Sequence, residues 1–577
     1  MRIAFIEIEN FRGIKVLQWA PSSGVNCLIG PGDSTKTTVL DAVELCLNPR
    51  SYISPDDCDF FDLDVKNPIR ITVTLGSLPL EFKADNRYGL HLRGWNAQAG
   101  NLEDEPGPGL EDVLSIALVI DESLEARWSI FNERIVADEK EPPTVRYKDA
   151  KLFATTRLGP YADRHLGWGR SSVLTRISET GGGFGLQLAE ASRAARKAFR
   201  AGEQAVFTRV IERAEELSKR FAVPVRGKYT AELDVDGVNI TSGGIALHDE
   251  NLPLRRLGTG SSRLIVSALQ HDAGPPHIAL IDEIEYGLEP HRIARLLKYL
   301  KTPKDGAGLS QPQIFMTTHS PFVLLELAAQ DIFAVRSAAG TTTVRSVSAT
   351  AKDLDTAQRH LRGTPEAFLA RKILVGEGKT EQGLARGFDT WWTGQNKDSF
   401  ALQGMIAIDG GGKDKAPLIA EHLLDLGYKV FLLLDSDEAP NADALKRVTD
   451  KGGAITQWPD ACSTEERIFL DVPWEVVRHV VGYARECIGD DNALAEVNIA
   501  LADVGLEKID DLTLPDVHDN INFRRALGKA AKNKRRSWFK DISRSERLAE
   551  MIGPCLDDLA AKPLTQKLAE LRTWIDA

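Results

Sequence analysis

The segment Val25-Asn-Cys-Leu-Ile29 followed by Gly30-Pro-Gly32-Asp-Ser-Thr-Lys36-Thr37-Thr38 constrains this chain more than any other. A short apolar strand runs into a Gly-bearing turn, a Lys and two hydroxyl residues. Val39, Leu40, Val43, Cys46 and Leu47 then recur on one face of a helix. A phosphate-binding loop needs this order. Turn and helix-start N–H groups face the anion, the Lys neutralises it, and a Ser/Thr hydroxyl holds Mg²⁺. Gly30, Gly32, Lys36, Thr37 and Thr38 are the candidate nucleotide ligands. Thr35 departs from the pattern, because a second Gly normally stands before the Lys and lets the backbone approach the phosphates. A plain Gly-Pro-Gly turn is the alternative reading.

Two later segments fit the nucleotide reading. Ile278-Ala-Leu-Ile-Asp282-Glu283 is an apolar strand ending in adjacent carboxylates. Asp282 is suited to positioning Mg²⁺, and Glu283 to polarising an attacking water. Ile314-Phe-Met-Thr-Thr-His319 is a second apolar strand, and its terminal His is placed to sense a γ-phosphate.

A different chemistry is written further on. Ile373-Leu-Val-Gly-Glu377-Gly-Lys-Thr-Glu381 is a strand followed by two glutamates four apart, and a helix starting near Thr380 can aim both at one point. Phe431-Leu-Leu-Leu-Asp435-Ser-Asp437 ends another buried strand. With Met405–Ile408 between them, the strand–helix alternation predicts a second, parallel sheet, whose carboxyl edge gathers these acids. Converging carboxylates repel one another unless divalent metal neutralises them. Oxygen ligands select Mg²⁺ or Mn²⁺, and two such ions suit phosphodiester hydrolysis. Acidic loop ends that merely solubilise the fold are the alternative.

Composition narrows the class. Hydrophobic residues are 43% and charged residues 27% of 577, which predicts folded domains. The net charge of −12 argues against a globally basic nucleic-acid coat. Ten Lys/Arg against three acids between Ile521 and Glu550 leave room for a local basic patch. The six cysteines form no CxxC pair, against both a disulfide framework and a zinc ribbon. Glu7 and Glu9 interrupt any signal peptide, and no apolar run is long enough for a membrane span. The expected location is the cytoplasm, with no membrane partner. Asn96–Pro108 reads as a loop and Arg70–Leu75 as a half-buried strand. After Gly181–Gly183, a helical pattern runs from Leu186 to Phe221. Phe199, Phe207, Val210, Ile211, Ala214 and Leu217 form its expected buried face, as an inserted arm or hairpin or as an ordinary core helix.

The N-terminal motifs together resemble the ABC-type ATPases of the SMC- and RecF-like branch. Glu9-Asn-Phe-Arg12-Gly13 is similar to that branch's opening turn, which implies a nucleotide contact for Arg12. Leu257-Gly-Thr-Gly260-Ser-Ser-Arg263 is similar to its signature loop, which implies that Gly260 caps the ATP of an opposite subunit. The later EGxxE and DxD resemble the TOPRIM domain. An ABC-type head fused to a TOPRIM domain resembles the OLD (overcoming lysogenization defect) family of nucleases, related to the Gabija nuclease subunit. This implies an α/β chain. The head's first part would be 1–165, a helical dimerisation insertion 166–228 and the head's second part 229–350. A TOPRIM nuclease domain with C-terminal helices would fill 368–577.

The resemblance also implies an ATP-regulated DNA endonuclease in anti-phage defence, with one Mg²⁺ or Mn²⁺ beside ATP and two in the second site. The chain would be a homodimer or higher homo-oligomer, with a helicase or another defence protein as candidate partner. Glu377, Glu381, Asp435 and Asp437 are the implied metal ligands. Ser463 and Glu465 occupy the family's Ser-x-Glu position, equally readable as a helix N-cap with an acidic first turn. Lys540 is the implied transition-state cation, with Lys534 second. A DNA-backbone contact is the alternative for either. An ATP-switched DNA clamp or sensor with an inactive TOPRIM domain is the competing function.

Overall fold

The computed structural model describes residues 1–48, 54–137, 142–159, 162–168, 172–178, 185–202, 205–220, 227–231, 233, 245–272, 278–302, 312–533 and 536–577. Gly181–Gly183, Phe221 and Lys534 lie outside the described residues. The chain divides into two compact units. Met1–Val145 joins Gln313–Ala577 in the first, and Arg146–Pro312 forms the second.

The first unit holds two sheets. In the larger, the strand order is Asn101–Glu103, Arg93–Asn96, Glu111–Ile120, Ile69–Gly76, Arg2–Phe11, Ile14–Trp19, Thr341–Ser346, Ile332–Ala338, Val25–Ile29 and Gln313–Thr317. Ala126–Phe131 pairs with Glu111–Ile120 off this path. The half built from hairpins is antiparallel. Val25–Ile29, by contrast, lies parallel to both Gln313–Thr317 and Ile332–Ala338, so their carboxyl ends share one edge. Helix Lys36–Leu47 covers the sheet with Val39, Leu40, Val43, Cys46 and Leu47 all buried, as its spacing predicts. Ile69–Gly76 departs from the half-buried expectation and is covered on both faces. The Cys46 thiol on that helix reaches the Ile71 carbonyl at 3.4 Å. The Asn96–Pro108 segment contains the strand Asn101–Glu103, so it is not wholly a loop.

The smaller sheet is fully parallel, in the order Met405–Asp409, Lys372–Gly376, Lys429–Leu434 and Ala454–Gln457. Helices Lys379–Gly394, Ala416–Asp425 and Ala442–Asp450 make the crossovers. Its apolar core continues into a C-terminal helical extension through Trp392, Phe431, Phe469, Trp538 and Ile575. Helix Lys379–Gly394 meets helix Ile542–Ile552 closely. A Cβ on Gly387 would stand 2.3 Å from the Glu546 carbonyl oxygen.

In the second unit, Ile278–Ile281 pairs in parallel with Thr156–Leu158. The Leu186–Phe221 pattern resolves into two helices, Gly185–Ala201 and Ala205–Arg220, with Phe199 and Phe207 6.4 Å apart across their junction. Their expected buried face is only partly covered: Phe207 is 42% and Val210 70% exposed, while Phe199, Ile211 and Ala214 are half-buried. Amphipathic spacing fixes which residues share a face but not what lies against it. Among the described residues, no helix is long and apolar enough to cross a membrane.

Candidate functional site

The phosphate loop follows Val25–Ile29 at the shared carboxyl edge. Lys36 Nζ folds back over the loop, donating to the carbonyls of Gly30 (3.1 Å) and Pro31 (2.8 Å) and to Ser34 Oγ (3.2 Å). This closes the turn around the ammonium, the group that an incoming phosphate would claim. Gly30 has φ +151°, and a Cβ there would stand 2.6 Å from the Val335 carbonyl oxygen, so only Gly fits. Thr35 takes the left-handed conformation that the missing Gly would adopt freely (φ 66°, ψ 12°). Its Oγ1 donates to the Ser34 carbonyl at 2.6 Å. Gly32 and Thr37 are exposed, and Thr37 and Thr38 open the helix. His319 follows Gln313–Thr317 and is exposed at the same edge. Arg12 is engaged by carboxylates: Nη1 meets Asp41 at 2.7 Å and Nε meets Asp59 at 2.8 Å. It ties the opening turn to the helix that carries the loop's threonines.

In the second unit, Asp282 and Glu283 leave the end of Ile278–Ile281. Asp282 Oδ2 faces Arg157 Nη2 at 3.2 Å, and both side chains are nearly buried. Glu283 has a positive φ of 46°, a strained conformation for a non-Gly residue. The fully buried Arg263 donates to the carbonyls of Gly159 (2.7 Å), Asp282 (2.9 Å) and Glu283 (2.9 Å). It thereby fixes the backbone that aims both acids. Gly260 packs against the Gly287 turn, where a Cβ would stand 2.1 Å from the Gly287 carbonyl oxygen. Sequence reasoning passed over Arg157, and its place on a strand paired in parallel with the acid-bearing one was the missing signal.

The carboxylates of the smaller sheet stand at its carboxyl edge. Glu377 continues Lys372–Gly376, its N–H donating to Leu433 O at 2.9 Å, and its Oε2 accepts from the Asp435 N–H at 3.1 Å. Glu381 lies buried in the first turn of Lys379–Gly394 and accepts from the Gly378 N–H at 2.7 Å. Asp435 Oδ1 accepts from both the N–H and the hydroxyl of Thr464, each at 2.8 Å. Glu465 Oε1 accepts from the Thr380 hydroxyl at 3.2 Å. Ser463 caps helix Thr464–Asp471, its Oγ accepting from the Glu466 N–H while its own N–H donates to Glu466 Oε2. The N-cap alternative for Ser463 is therefore realised in the structure.

Burial is the first cause that disfavours charge on these acids, and mutual repulsion follows. Glu381 is pushed up to about 7 by burial and then by Glu465. Asp435 is raised well above the carboxylate range by burial, then by Glu381, Glu465 and Glu377. Glu465 is also raised by burial, with Lys540 pulling the other way. Lys540 therefore lies within electrostatic reach of the acids. A cation that sequence reasoning missed is closer to the outer pair. Lys532 forms an ion pair with Asp437 and holds Glu377 down against its burial. It ends helix Ile521–Lys532 within the basic stretch, which was the available signal. Asp409, at the end of Met405–Asp409, accepts from the Gly411 N–H at 2.8 Å.

Each buried acid thus turns toward a protein donor. Among the described residues, no three His, Cys, Asp or Glu side chains stand ready-spaced as a metal cage. The chemistry of the donor set still fits a hard divalent cation, because the acids around Asp435 are buried and raise one another's affinity for protons.

Comparison with known proteins defines the class of the N-terminal half. The family described as "AAA ATPase domain" matches residues 1–140. That described as "AAA domain, putative AbiEii toxin, Type IV TA system" matches residues 159–326. The chain carries an AAA-type ATPase over these stretches, and ATP is the ligand such domains imply. Among individual relatives, it is similar to the DNA replication and repair protein RecF of Chlorobium limicola, 34% identical over 59 residues. It is also similar to the RecF of Prosthecochloris aestuarii, 44% identical over 52 residues. These matches cover 10% and 9% of this chain and only 16% and 14% of those proteins. Among solved structures, the Smc head bound to the C-winged helix domain of ScpA aligns with 60% of this chain and 97% of its own, at 16% identity and a TM-score of 0.32. The SMC head domain from Thermotoga maritima aligns with 60% and 99%, at 11% identity and a TM-score of 0.27. Both scores are too low to define the fold.

Proposed function

We infer that the chain is an ATP-regulated, divalent-metal-dependent DNA endonuclease, with the ATPase in its N-terminal half and a TOPRIM nuclease domain over 368–577. The single observation that carries this reading is the buried group formed by Glu381, Asp435 and Glu465 with Glu377 beside it, at the carboxyl edge of a parallel sheet. A purely structural core gains nothing from acids that raise one another's proton affinity. Glu377, Glu381, Asp435 and Asp437 would hold Mg²⁺ or Mn²⁺, with Glu465 behind them. When bound, the ions supply charge neutralisation of the scissile phosphate and an acidified water. Thr464 and the Asp435 N–H fix the orientation of the Asp435 and Glu377 carboxylates. Lys532 and Lys540 supply positive charge toward the departing oxygen. DNA as substrate class accords with the relatives' printed role in DNA replication and repair. Anti-phage defence, a homo-oligomer and a cytoplasmic location follow from the same family reading.

The ion pair between Lys532 and Asp437 favours one rival, an ATP-switched DNA clamp whose second domain is inert. Plasmid nicking by pure protein in Mg²⁺ or Mn²⁺, beside Asp435→Ala, separates them. Metal-dependent nicking lost in the variant is the expected result. Nicking that survives the substitution removes the carboxylate group as the nuclease site, and wild-type protein that binds DNA without cutting it leaves the clamp.

A further inference from the structure

The strand Ile332–Ala338 touches both chemistries. On one side it pairs in parallel with Val25–Ile29, and its Val335 carbonyl presses against Gly30, the first residue of the phosphate loop. The next residue, Arg336, lays its guanidinium over the Tyr428 ring, with Cζ 3.6 Å from the centroid. Tyr428 is buried, and its hydroxyl is anchored on the Phe368 carbonyl. It immediately precedes Lys429–Leu434, the strand that delivers Asp435 to the carboxylate group.

The contact is costly to keep. Among the described residues, Arg336 Nε and Nη2 are buried with no hydrogen-bond partner. Burial pulls the guanidinium below its usual range, and Tyr428 partly offsets this. A half-buried guanidinium with two unpartnered nitrogens set against a ring face is a poor way to stabilise a fold, since an apolar residue of similar size would serve better. A second arginine supports the same junction. Arg345, opposite Ala334 in the paired strand, donates to the Asp425 carbonyl at 2.6 Å and caps the helix that leads into Tyr428.

We propose that Arg336 is a positioning residue that couples the phosphate loop to the nuclease carboxylates, acting through Tyr428 on the strand that carries Asp435. An anion drawn into the loop takes Lys36 from the Gly30 and Pro31 carbonyls and shifts Gly30 against Val335. Arg336 passes that shift to Tyr428, and the strand end carrying Asp435 moves with it. The proposal rests on the ATP-regulated nuclease reading for its meaning, but its physical content is a coupling between nucleotide and strand that exists whether or not DNA is cut.

The test is amide hydrogen exchange over residues 428–435 of the full chain, with and without a slowly hydrolysed ATP analogue and Mg²⁺. Wild type, Arg336→Met, Arg336→Lys and Tyr428→Leu are compared. Nucleotide is expected to change exchange in this strand by at least about fivefold in wild type, the low end of ordinary site-to-site coupling. Arg336→Met and Tyr428→Leu abolish the change while a fluorescent nucleotide still binds, and Arg336→Lys, which restores a cation to the ring, recovers part of it. A change that persists in Arg336→Met, or its absence in wild type with nucleotide bound, overturns the proposal. If Arg336→Met does not fold, Tyr428→Leu decides alone. Nicking is read on the same samples. Exchange coupling without nicking removes the nuclease reading and leaves the coupling, whereas nicking whose ATP response survives both substitutions removes the coupling and leaves the nuclease.

Discussion

Thr35 is where this phosphate loop departs from the common pattern, and the departure has a physical consequence. A β-branched residue at φ 66° holds a conformation that costs about 1–3 kcal/mol. Gly at the same position would adopt it freely, at a chain-entropy cost of about 0.5–1 kcal/mol. Thr35→Gly should therefore raise stability by about 1 kcal/mol and leave nucleotide binding equal or tighter. Thermal melting and nucleotide titration of the variant check this, and a variant that both melts earlier and binds more weakly would show the Thr hydroxyl to be indispensable. That hydroxyl reaches Ser34 O and Thr342 Oγ1, and the loss of these two hydrogen bonds opposes the gain.

Between elements, the clearest titratable contact is a histidine pair joining helix Leu354–Gly363 to helix Ala416–Asp425. His422 Nε2 donates to the Val347 carbonyl at 2.9 Å, and its Nδ1 stands 3.0 Å from His360 Nδ1. Burial disfavours the charged form of both rings, and a neutral pair satisfies the contact with His360 as donor. Burial, then the neighbouring His422 and Arg359, pulls His360 down to about 4, against a smaller pull from Asp353. His422 is lowered by burial, opposed by its Val347 bond and Asp425. Folded values below the ordinary 6.5 mean that the unfolded chain takes up protons first as pH falls. Stability contributed by the pair is complete above that value and drains away toward pH 4. Melting temperature should fall across this window in wild type and fall less in His360→Gln; parallel profiles would rule the pair out as the titrating element. This contact was not legible in the sequence, because neither His lies in a motif and only the tertiary fold brings positions 360 and 422 together. What was legible is what local pattern encodes. The loop from Gly30 to Lys36, the strands bearing Glu377 and Asp435, and the buried face of Lys36–Leu47 all follow from spacing. Ala454–Gln457, with a weak apolar signal, and the sheet order that places Lys372–Gly376 centrally do not.

At the scale of the molecule, the carboxylate group is assembled from parts far apart in the chain. Glu377 and Asp435 come from the parallel sheet, and Thr464 and Glu465 from the helical extension packed on it. Mutual repulsion among these acids works against that assembly, while an ion bound only by the folded state reinforces it. Saturating Mn²⁺ at about a hundred times its dissociation constant should stabilise the fold by about 2.7 kcal/mol. Asp435→Asn keeps an oxygen to accept from Thr464 but removes one charge. In chelator, the variant should therefore melt above wild type, by an amount equivalent to about 0.5–2 kcal/mol, and it should lose most of the Mn²⁺ increment. The two curves should cross as Mn²⁺ is added. Differential scanning calorimetry without nucleotide or DNA reads this directly. A variant that melts below wild type in chelator would mean that Asp435 is held for its hydrogen bonds. Equal Mn²⁺ increments in both proteins would place the ion elsewhere.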